Sequence, residues 1–186
     1  MSVLPVRIYG DPVLRERARE VTSVDDDLRR LIADMFETMH AYNGVGLAAN
    51  QVGIAQRVLV VDVPGEDDVR VQHALINPVV KRRSGSDTAE EGCLSVPGLW
   101  EDVTRADRLV VAALDEQGRP IELSVEDYLA RAIQHEMDHL EGVLFVDRLS
   151  ALKRQFLKHS LEALARGEIP EGHHPPAEPG ESGGRL

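Results

Sequence analysis

The stretch His135-Glu136-Met137-Asp138-His139 is the part of the sequence on which the interpretation of the fold depends. It lies in a segment from Tyr128 to Leu140 that is predicted to be helical and to end at Gly142. Histidines four positions apart project from one helical face, so both imidazoles can reach one metal ion. Glu136 then lies where a general base would take a proton from a water molecule activated by the ion. The alternative, a solvated polar face, is disfavoured because chance rarely produces this pattern in a short chain.

Two histidines leave a third metal ligand to be found. A histidine six residues past His139 would complete one known pattern, but Phe145 occupies that position and cannot bind a metal. Glu162, 23 residues downstream of His139, fits the pattern of a zinc endopeptidase. It also fits the polar side of the last predicted helix, so the downstream position stays open.

Cys93 is the third candidate and the only cysteine of the chain. A lone cysteine excludes an intramolecular disulfide and is typical of a reducing compartment. Gly92 beside it permits close backbone approach, and Pro97-Gly98 predicts a turn. A thiolate with two imidazoles would make a three-ligand site with an open position for water.

The elements on either side of the metal-binding segment predict an α+β fold. An amphipathic helix is predicted from Asp26 to Asn43-Gly44, because its apolar residues recur at spacings of three and four. The segment Gly44 to Gly53 is interpreted as an apolar loop, and Ser124 with Asp127 predicts the capped start of the metal-binding helix. Strand-like runs lie at 57–63, 71–80, 109–114 and 121–125, and a final helix is predicted over 149–166. We therefore expect antiparallel strands packed around a central metal-binding helix, with a C-terminal helix.

Length and composition indicate one globular domain with a tail. The chain has 186 residues, of which 42% are hydrophobic and 28% charged. We expect a single catalytic domain over residues 1–168. Residues 169–186 are rich in proline and glycine, which predicts a disordered tail.

Charge and hydropathy limit the partners and the location. A net charge of −11 argues against nucleic-acid binding through bulk electrostatics, so no specific DNA partner is expected. No apolar run approaches the roughly 20 residues of a membrane span, and the N-terminus lacks the features of a signal peptide. These observations predict a cytoplasmic protein without membrane contacts.

Three segments together resemble the signature motifs of the peptide deformylase family. They are Gly44-Val45-Gly46-Leu47-Ala48-Ala49-Asn50-Gln51, Glu91-Gly92-Cys93-Leu94-Ser95 and the helical stretch from His135 to His139. They occur in the family's order, and the likeness covers about residues 5–165. The resemblance implies an enzyme that removes the formyl group from N-formylmethionine at the N-terminus of new proteins and releases formate.

The resemblance also implies the metal ligands, which are Cys93, His135 and His139. The family usually binds one divalent ion, Fe(II) natively, which Ni, Co or Zn can replace. A thiolate on ferrous iron is expected to make the enzyme sensitive to oxygen.

The remaining site residues are carried over from the family in the same way. Glu136 would be the general base, and the side chain of Gln51 with the backbone N–H of Leu94 would stabilise the oxyanion. Backbone groups of three residues would pair with the extended substrate peptide as an added strand. These are Val45, Gly46 and Gly92, and the backbone of Leu94 also counts among the substrate contacts.

The wall of the methionine pocket is expected from Tyr128, Arg131 and Ala132, one and two helical turns before His135. Arg131 departs from the apolar residues common at this position in the family. Its aliphatic stem could pack while the charged head reaches water, or the pocket is altered. A third possibility is that Arg131 simply faces solvent.

Two rival functions belong to other classes. One is a zinc endopeptidase that uses Glu162 as its third ligand. The other is a catalytically silent, metal-holding protein associated with the ribosome. The last predicted helix has a basic face that could touch ribosomal RNA near the exit site, although a solvated surface explains it as well. That face is formed by Lys153, Arg154, Lys158 and Arg166.

Overall fold

Three α-helices and two antiparallel sheets form the computed structural model over the residues it describes, 2–65 and 69–170. The helices are α1 (Asp26–Ala41), α2 (Asp127–Leu140) and α3 (Ala151–Ala165). The strands are β1 (Gly46–Ala48), β2 (Val58–Pro64), β3 (Arg70–Ser84), β4 (Asp87–Cys93), β5 (Val96–Arg105), β6 (Arg108–Leu114) and β7 (Pro120–Glu126). The larger sheet has the order β1-β2-β3-β6-β7, and β4 with β5 forms a separate hairpin. The predicted α+β class is confirmed.

Helix α1 begins and ends where its sequence predicts. The side chain of Asp25 accepts a hydrogen bond from the N–H of Leu28 at 2.9 Å, and two further acids occupy the first turn. Asn43 ends the helix in the left-handed region, with φ of 56°. Its buried face, which includes Ile32 and Met35, packs with β2 to form one part of the core.

Helix α2 occupies the centre of the molecule and packs against β1 and β2. One side of it, with Ala130, Ile133 and Leu140, is buried against the larger sheet. This packing leaves His135 and His139 to face the β4–β5 hairpin. The predicted central metal-binding helix is therefore present.

The predicted capping of α2 by Ser124 is wrong. Ser124 pairs with Val110 in the β6–β7 hairpin, so β7 continues to Glu126 and meets the helix directly. Glu126 occupies the cap position without a side-chain bond, and Asp127 turns the chain with φ of 53°. The hairpin register thus overrides the local capping signal.

The β4–β5 hairpin is the part of the fold that the sequence patterns did not indicate. The turn predicted at Pro97-Gly98 is wrong, since the chain reverses at Leu94 and Ser95, and Pro97 and Gly98 lie in β5. The register changes there from Gly92 opposite Trp100 to Cys93 opposite Val96, which makes β5 bulge. The segment interpreted as a loop, Gly44 to Gly53, contains β1 and a 3-10 turn.

Helix α3 closes the fold at the C-terminal end of the described chain. Ser150 caps it by accepting a bond from the N–H of Lys153 at 3.2 Å, and Leu161 and Leu164 are buried against Phe145 and its neighbours. Most of the tail predicted as disordered, from residue 171 onward, lies outside the described residues. Within the described ranges, we find no helix that combines the length and hydropathy needed to cross a bilayer.

Candidate active site

Cys93, His135 and His139 come together between the end of β4 and the centre of α2. Their ligand atoms all lie within 4.8 Å of one another, and Cys93 Sγ is 3.3 Å from His139 Nε2. The two imidazole rings are buried, with centroids 5.1 Å apart. Phe145, which cannot bind a metal, stacks on the ring of His135, with the two ring centroids 6.3 Å apart.

These three donors fit a single divalent transition-metal ion. One thiolate with two imidazoles is a donor set that iron, cobalt, nickel and zinc all accept. His135 Nδ1 is already engaged with Glu91 at 3.0 Å, which leaves Nε2 as the atom for the metal. Burial lowers the pKa of His139 well below its usual range and so favours the neutral imidazole that binds metals.

Glu136 lies beside the donors with an unsatisfied oxygen. Among the described residues, its Oε2 is one of few buried side-chain oxygens without a hydrogen-bond partner. Burial raises the pKa of this carboxyl to about 7, against the lowering influence of His135 and Arg105. A buried carboxylate with a free oxygen next to a metal site is suited to hold a water molecule and accept its proton.

Gly46 in β1 gives Glu136 the space that it occupies. A Cβ atom at Gly46 would overlap Oε1 and the rest of the Glu136 carboxylate. The small residue is therefore required by the position of the neighbouring acid.

We expect Gly46→Ala to lower kcat by about a hundredfold. The added Cβ would push the Glu136 carboxylate out of place, and misplacing a catalytic group by about 1 Å can cost this much in rate. Urea unfolding should show a loss of about 1–3 kcal/mol, since the added Cβ also meets Glu136 Cγ at 2.9 Å and overpacks a buried site. The control is Gly167→Ala, where an added Cβ meets nothing within 4 Å but the φ of 82° strains alanine, so this variant should lose some stability and keep wild-type kcat. Wild-type kcat in Gly46→Ala would show that Glu136 has room to move without consequence.

Gln51 presents its amide group to the metal donors. Its Oε1 accepts a bond from the N–H of Ala48 at 2.8 Å, which fixes the orientation of the amide. Its Nε2 then lies 3.6 Å from Cys93 Sγ and 3.3 Å from Ser95 Oγ. Gln51 is 1% exposed, so its N–H donors are aimed into the site rather than at bulk solvent.

A cavity of about 400 Å³ opens in front of these groups. It is bounded by the β1 segment, the β4–β5 hairpin and α2, and two exposed aromatics, Trp100 and Tyr128, lie at its edge. The predicted substrate and catalytic residues line it together, namely Val45, Gly46, Gln51, Gly92, Cys93, Leu94, His135 and Glu136. A larger cleft of about 970 Å³ lies on the other side of α2, but none of the three metal donors lines it.

The cavity lies between two strand edges. In the described part of the chain, β1 pairs with β2 alone and β4 with β5 alone. An extended segment placed between them could therefore add to both edges.

Glu91 and Arg105 are site residues that the sequence analysis did not assign. Arg105 donates to Glu91 Oε1 at 2.5 Å and to Oε2 at 2.8 Å, while Arg131 donates to Oε1 at 2.8 Å. Burial would raise the pKa of Glu91, but the bonds with Arg105 and His135 outweigh it and hold the pKa at about 2. Glu91 could have been assigned to the site from its place in the second signature segment, whereas no pattern in the neighbouring sequence marks Arg105.

Of the three possibilities considered for Arg131, the one in which it simply faces solvent is wrong. It is only 6% exposed, and its guanidinium bonds to Glu91, Asp87 and the carbonyl of Val103. Its charge is therefore neutralised inside the protein rather than displayed to water or to the pocket.

Removal of Arg105 should destabilise the whole fold. Arg105 also donates to Asp138 at 2.8 Å, so Arg105→Met would remove the bidentate partner of Glu91 and leave Asp138 with Arg148 alone. We expect the free energy of unfolding to fall by about 3–5 kcal/mol, measured by urea denaturation. Arg108→Met breaks an exposed pair with Glu126 and should change it by less than about 1 kcal/mol. Equal effects of the two substitutions would contradict this account.

The zinc endopeptidase interpretation is wrong. Glu162 is exposed on α3, 3.8 Å from Lys158, and is not part of the donor cluster. Cys93 occupies the place of the third donor instead.

The fold and the Cys-His-His site define a metallohydrolase. The family model described as polypeptide deformylase matches residues 3–155. The peptide deformylase of Alkalilimnicola ehrlichii is 52% identical over 166 residues, which is 89% of this chain and 93% of that protein. The chain belongs to the peptide deformylase family, and its activity is the removal of N-terminal formyl groups from nascent peptides.

Solved structures of the family agree with this fold. The peptide deformylase of Legionella pneumophila has a TM-score of 0.82 at 41% identity, covering 90% of this chain and 98% of that one. The Ehrlichia chaffeensis deformylase in complex with actinonin has a TM-score of 0.83 at 40% identity, covering 91% of this chain and 100% of that one.

Proposed function

We propose that this deformylase hydrolyses the N-formylmethionyl group of newly made proteins with Cys93, His135 and His139 as metal ligands and Glu136 as general base. The observation that carries the proposal is the unpartnered Glu136 oxygen buried beside the three converging donors. The proposed catalytic unit spans residues 1–168. We place it in the cytoplasm, where nascent chains carry the formyl group.

The proposed metal is one divalent ion, natively Fe(II), for which Ni, Co or Zn can substitute. When bound, it would supply Lewis-acid polarisation of the formyl oxygen and lower the pKa of a water molecule. The converging thiol and imidazole donors and the bond between Glu91 and His135 support a single divalent ion. The single thiolate makes the iron form sensitive to oxygen.

Glu136 moves the proton in the proposed reaction. Its Oε2 accepts a proton from the attacking water, whose oxygen forms a bond with the formyl carbon. The carbon–nitrogen bond of the formamide then breaks, and Glu136 delivers the same proton to the departing amine. The products are formate and a free N-terminal methionine.

Gln51 and Leu94 stabilise the oxyanion in this proposal. Negative charge grows on the formyl oxygen as the water attacks, and fixed N–H donors lower the barrier because they need no reorganisation. The amide of Gln51, held by Ala48, is such a donor. The backbone N–H of Leu94 follows Cys93 directly in the turn and lines the same cavity.

Gln51→Leu should lower kcat by about a hundredfold with little change in KM, since the lost bond forms in the transition state. Steady-state kinetics on an N-formyl-methionyl tripeptide measures both constants. Gln134→Leu is the control, because this glutamine bonds to Ala106 and Ala130 on the other side of α2. An increase in KM alone would assign Gln51 to substrate binding instead.

The peptide part of the substrate is proposed to lie between β1 and β4. Backbone groups of Val45, Gly46, Gly92 and Leu94 would pair with it, since both strands have an edge at the cavity. The methionine side chain would enter the cavity against Ala132 and the ring of Tyr128.

Contact with the ribosome would use the basic face of α3. On the basic face of α3, Lys153 pairs with Glu101 at 2.7 Å and Arg166 with Glu168 at 2.7 Å. Arg154 would carry an RNA contact together with Lys158, which lies 3.8 Å from Glu162, beside the exposed Leu152 and Phe156. Cosedimentation with ribosomes at low and high salt would test it, with Arg154→Glu as the variant expected to weaken binding.

The experiment that tests the proposed function is formate release from an N-formyl-methionyl tripeptide. The protein is purified anaerobically and loaded separately with Fe(II), Ni(II), Co(II) or Zn(II). We expect one metal per chain and the fastest decay of activity in air for the Fe(II) form. Absence of formate release from a folded, fully loaded protein would overturn the proposal.

A further inference from the structure

Arg131 links the outer end of the β4–β5 hairpin to the carboxylate that contacts His135. One terminal nitrogen, Nη1, donates to Glu91 Oε1 at 2.8 Å and to the carbonyl of Val103 at 2.8 Å. The other, Nη2, donates to the Asp87 carbonyl at 3.0 Å and to its Oδ2 at 2.9 Å. One guanidinium on α2 thus holds both strands of the hairpin at once.

Neutralising Glu91 does not require this second arginine. Arg105 already engages both oxygens of Glu91 in a bidentate pair inside the protein. A buried ion pair is in general weak evidence for added stability, since desolvation offsets the attraction. What Arg131 adds is geometric, because it connects Glu91 to Asp87 and Val103.

The geometry of Glu91 matters for the metal site. Its Oε2 faces His135 Nδ1 at 3.0 Å, so the direction of the carboxylate sets the tautomer and the ring orientation of that imidazole. The bond from Arg131 ends on the other oxygen, Oε1, and so restrains rotation of the carboxylate. A change in Arg131 would therefore reach His135 through a single intervening side chain.

We propose that Arg131 is a positioning residue for the metal centre. Through Glu91 it fixes the orientation of His135, and through Asp87 and Val103 it makes that orientation depend on the hairpin lying against α2. The inference rests on the proposed ligand set of Cys93, His135 and His139. It also explains how an arginine can line the cavity that receives methionine, since its polar atoms are bonded to the hairpin.

The test measures Co(II) binding rather than turnover alone. Arg131→Met keeps the aliphatic stem and removes the donors, and we expect about tenfold weaker Co(II) affinity in a chelator competition. The visible d–d absorption of the bound Co(II) should shift, because the His135 ligand is reoriented. Arg131→Lys keeps the charge but cannot reach Glu91, Val103 and Asp87 together, so it should shift both readouts in the same direction.

Arg57→Met is the matched control. Arg57 is a nearly buried arginine that bonds to Glu141 at 2.6 Å, just past the end of α2, and to the carbonyl of Pro78. Its removal should lower the melting temperature but leave the Co(II) affinity and spectrum unchanged. The control separates loss of a buried arginine from loss of the link to Glu91.

Unchanged Co(II) affinity and absorption in both Arg131 variants would overturn the inference, even if their melting temperatures fall. If Arg131→Met does not fold, Arg131→Lys decides the question in the same assays. Failure of the wild-type chain to bind Co(II) would overturn the ligand set and this inference together. Normal wild-type binding and formate release with unaltered variants would overturn only the role of Arg131.

Discussion

Glu136→Ala is expected to lower kcat for formate release by a factor of about 10²–10⁴ while one metal ion per chain remains bound. The residue is not one of the three donors, so its removal leaves the ligand set complete. The substitution removes the carboxylate that is proposed to accept the proton of the attacking water. The measurement is formate release by Co(II)-loaded protein, with the metal content determined on the same sample.

Two further variants make this result specific. Glu136→Gln keeps the shape of the side chain without its basicity and should be equally inactive. Glu141→Gln, on an exposed carboxylate just beyond α2, should retain wild-type kcat. Activity of Glu136→Ala within tenfold of wild type would show that another group moves the proton.

Cys93→Ala is expected to abolish high-affinity metal binding and, with it, activity. The substitution leaves two imidazoles, and two ligands do not hold a divalent ion against a chelator as three do. Equilibrium dialysis with Zn(II) and Co(II) measures the loss. Because Cys93 is only partly buried and forms no disulfide, the fold should survive the change.

The control for the cysteine variant is Glu162→Gln. Glu162 was the alternative third ligand, and it lies exposed on α3. The Glu162→Gln variant should bind metal and release formate like the wild type. Retention of stoichiometric metal by Cys93→Ala would contradict the proposed ligand set.

Features that depend on the spacing of neighbouring residues could be predicted from the sequence. The face of α1, the β6–β7 hairpin and the histidines of α2 each depend on spacings of two to four residues, and all three are present. The grouping of Cys93 with those histidines was not derivable from spacing. It came from the resemblance, because Cys93 is 42 positions from His135 and 46 from His139, and only the fold brings them together.

The sequence patterns could not predict the β4–β5 hairpin or the charges beneath it. In this hairpin Trp100 is exposed while Glu91 and Arg105 are buried, and a bulge interrupts the register, so no clear alternation of apolar residues marks the strands. Arg105 and Arg131 look like ordinary surface residues, and only tertiary contacts reveal that Glu91 binds both. Burial of a charge depends on partners distant in the chain, which local propensity does not encode.

The strand edges of β1 and β4 would also limit when the enzyme can act on a new chain. In the proposed binding mode, a peptide that pairs as an extra strand cannot be one whose N-terminus has already formed a helix or joined another sheet. On this proposal, deformylation would compete with folding of the new chain's first residues. Proteins whose N-termini fold earliest should be the ones that keep the formyl group when the enzyme is scarce.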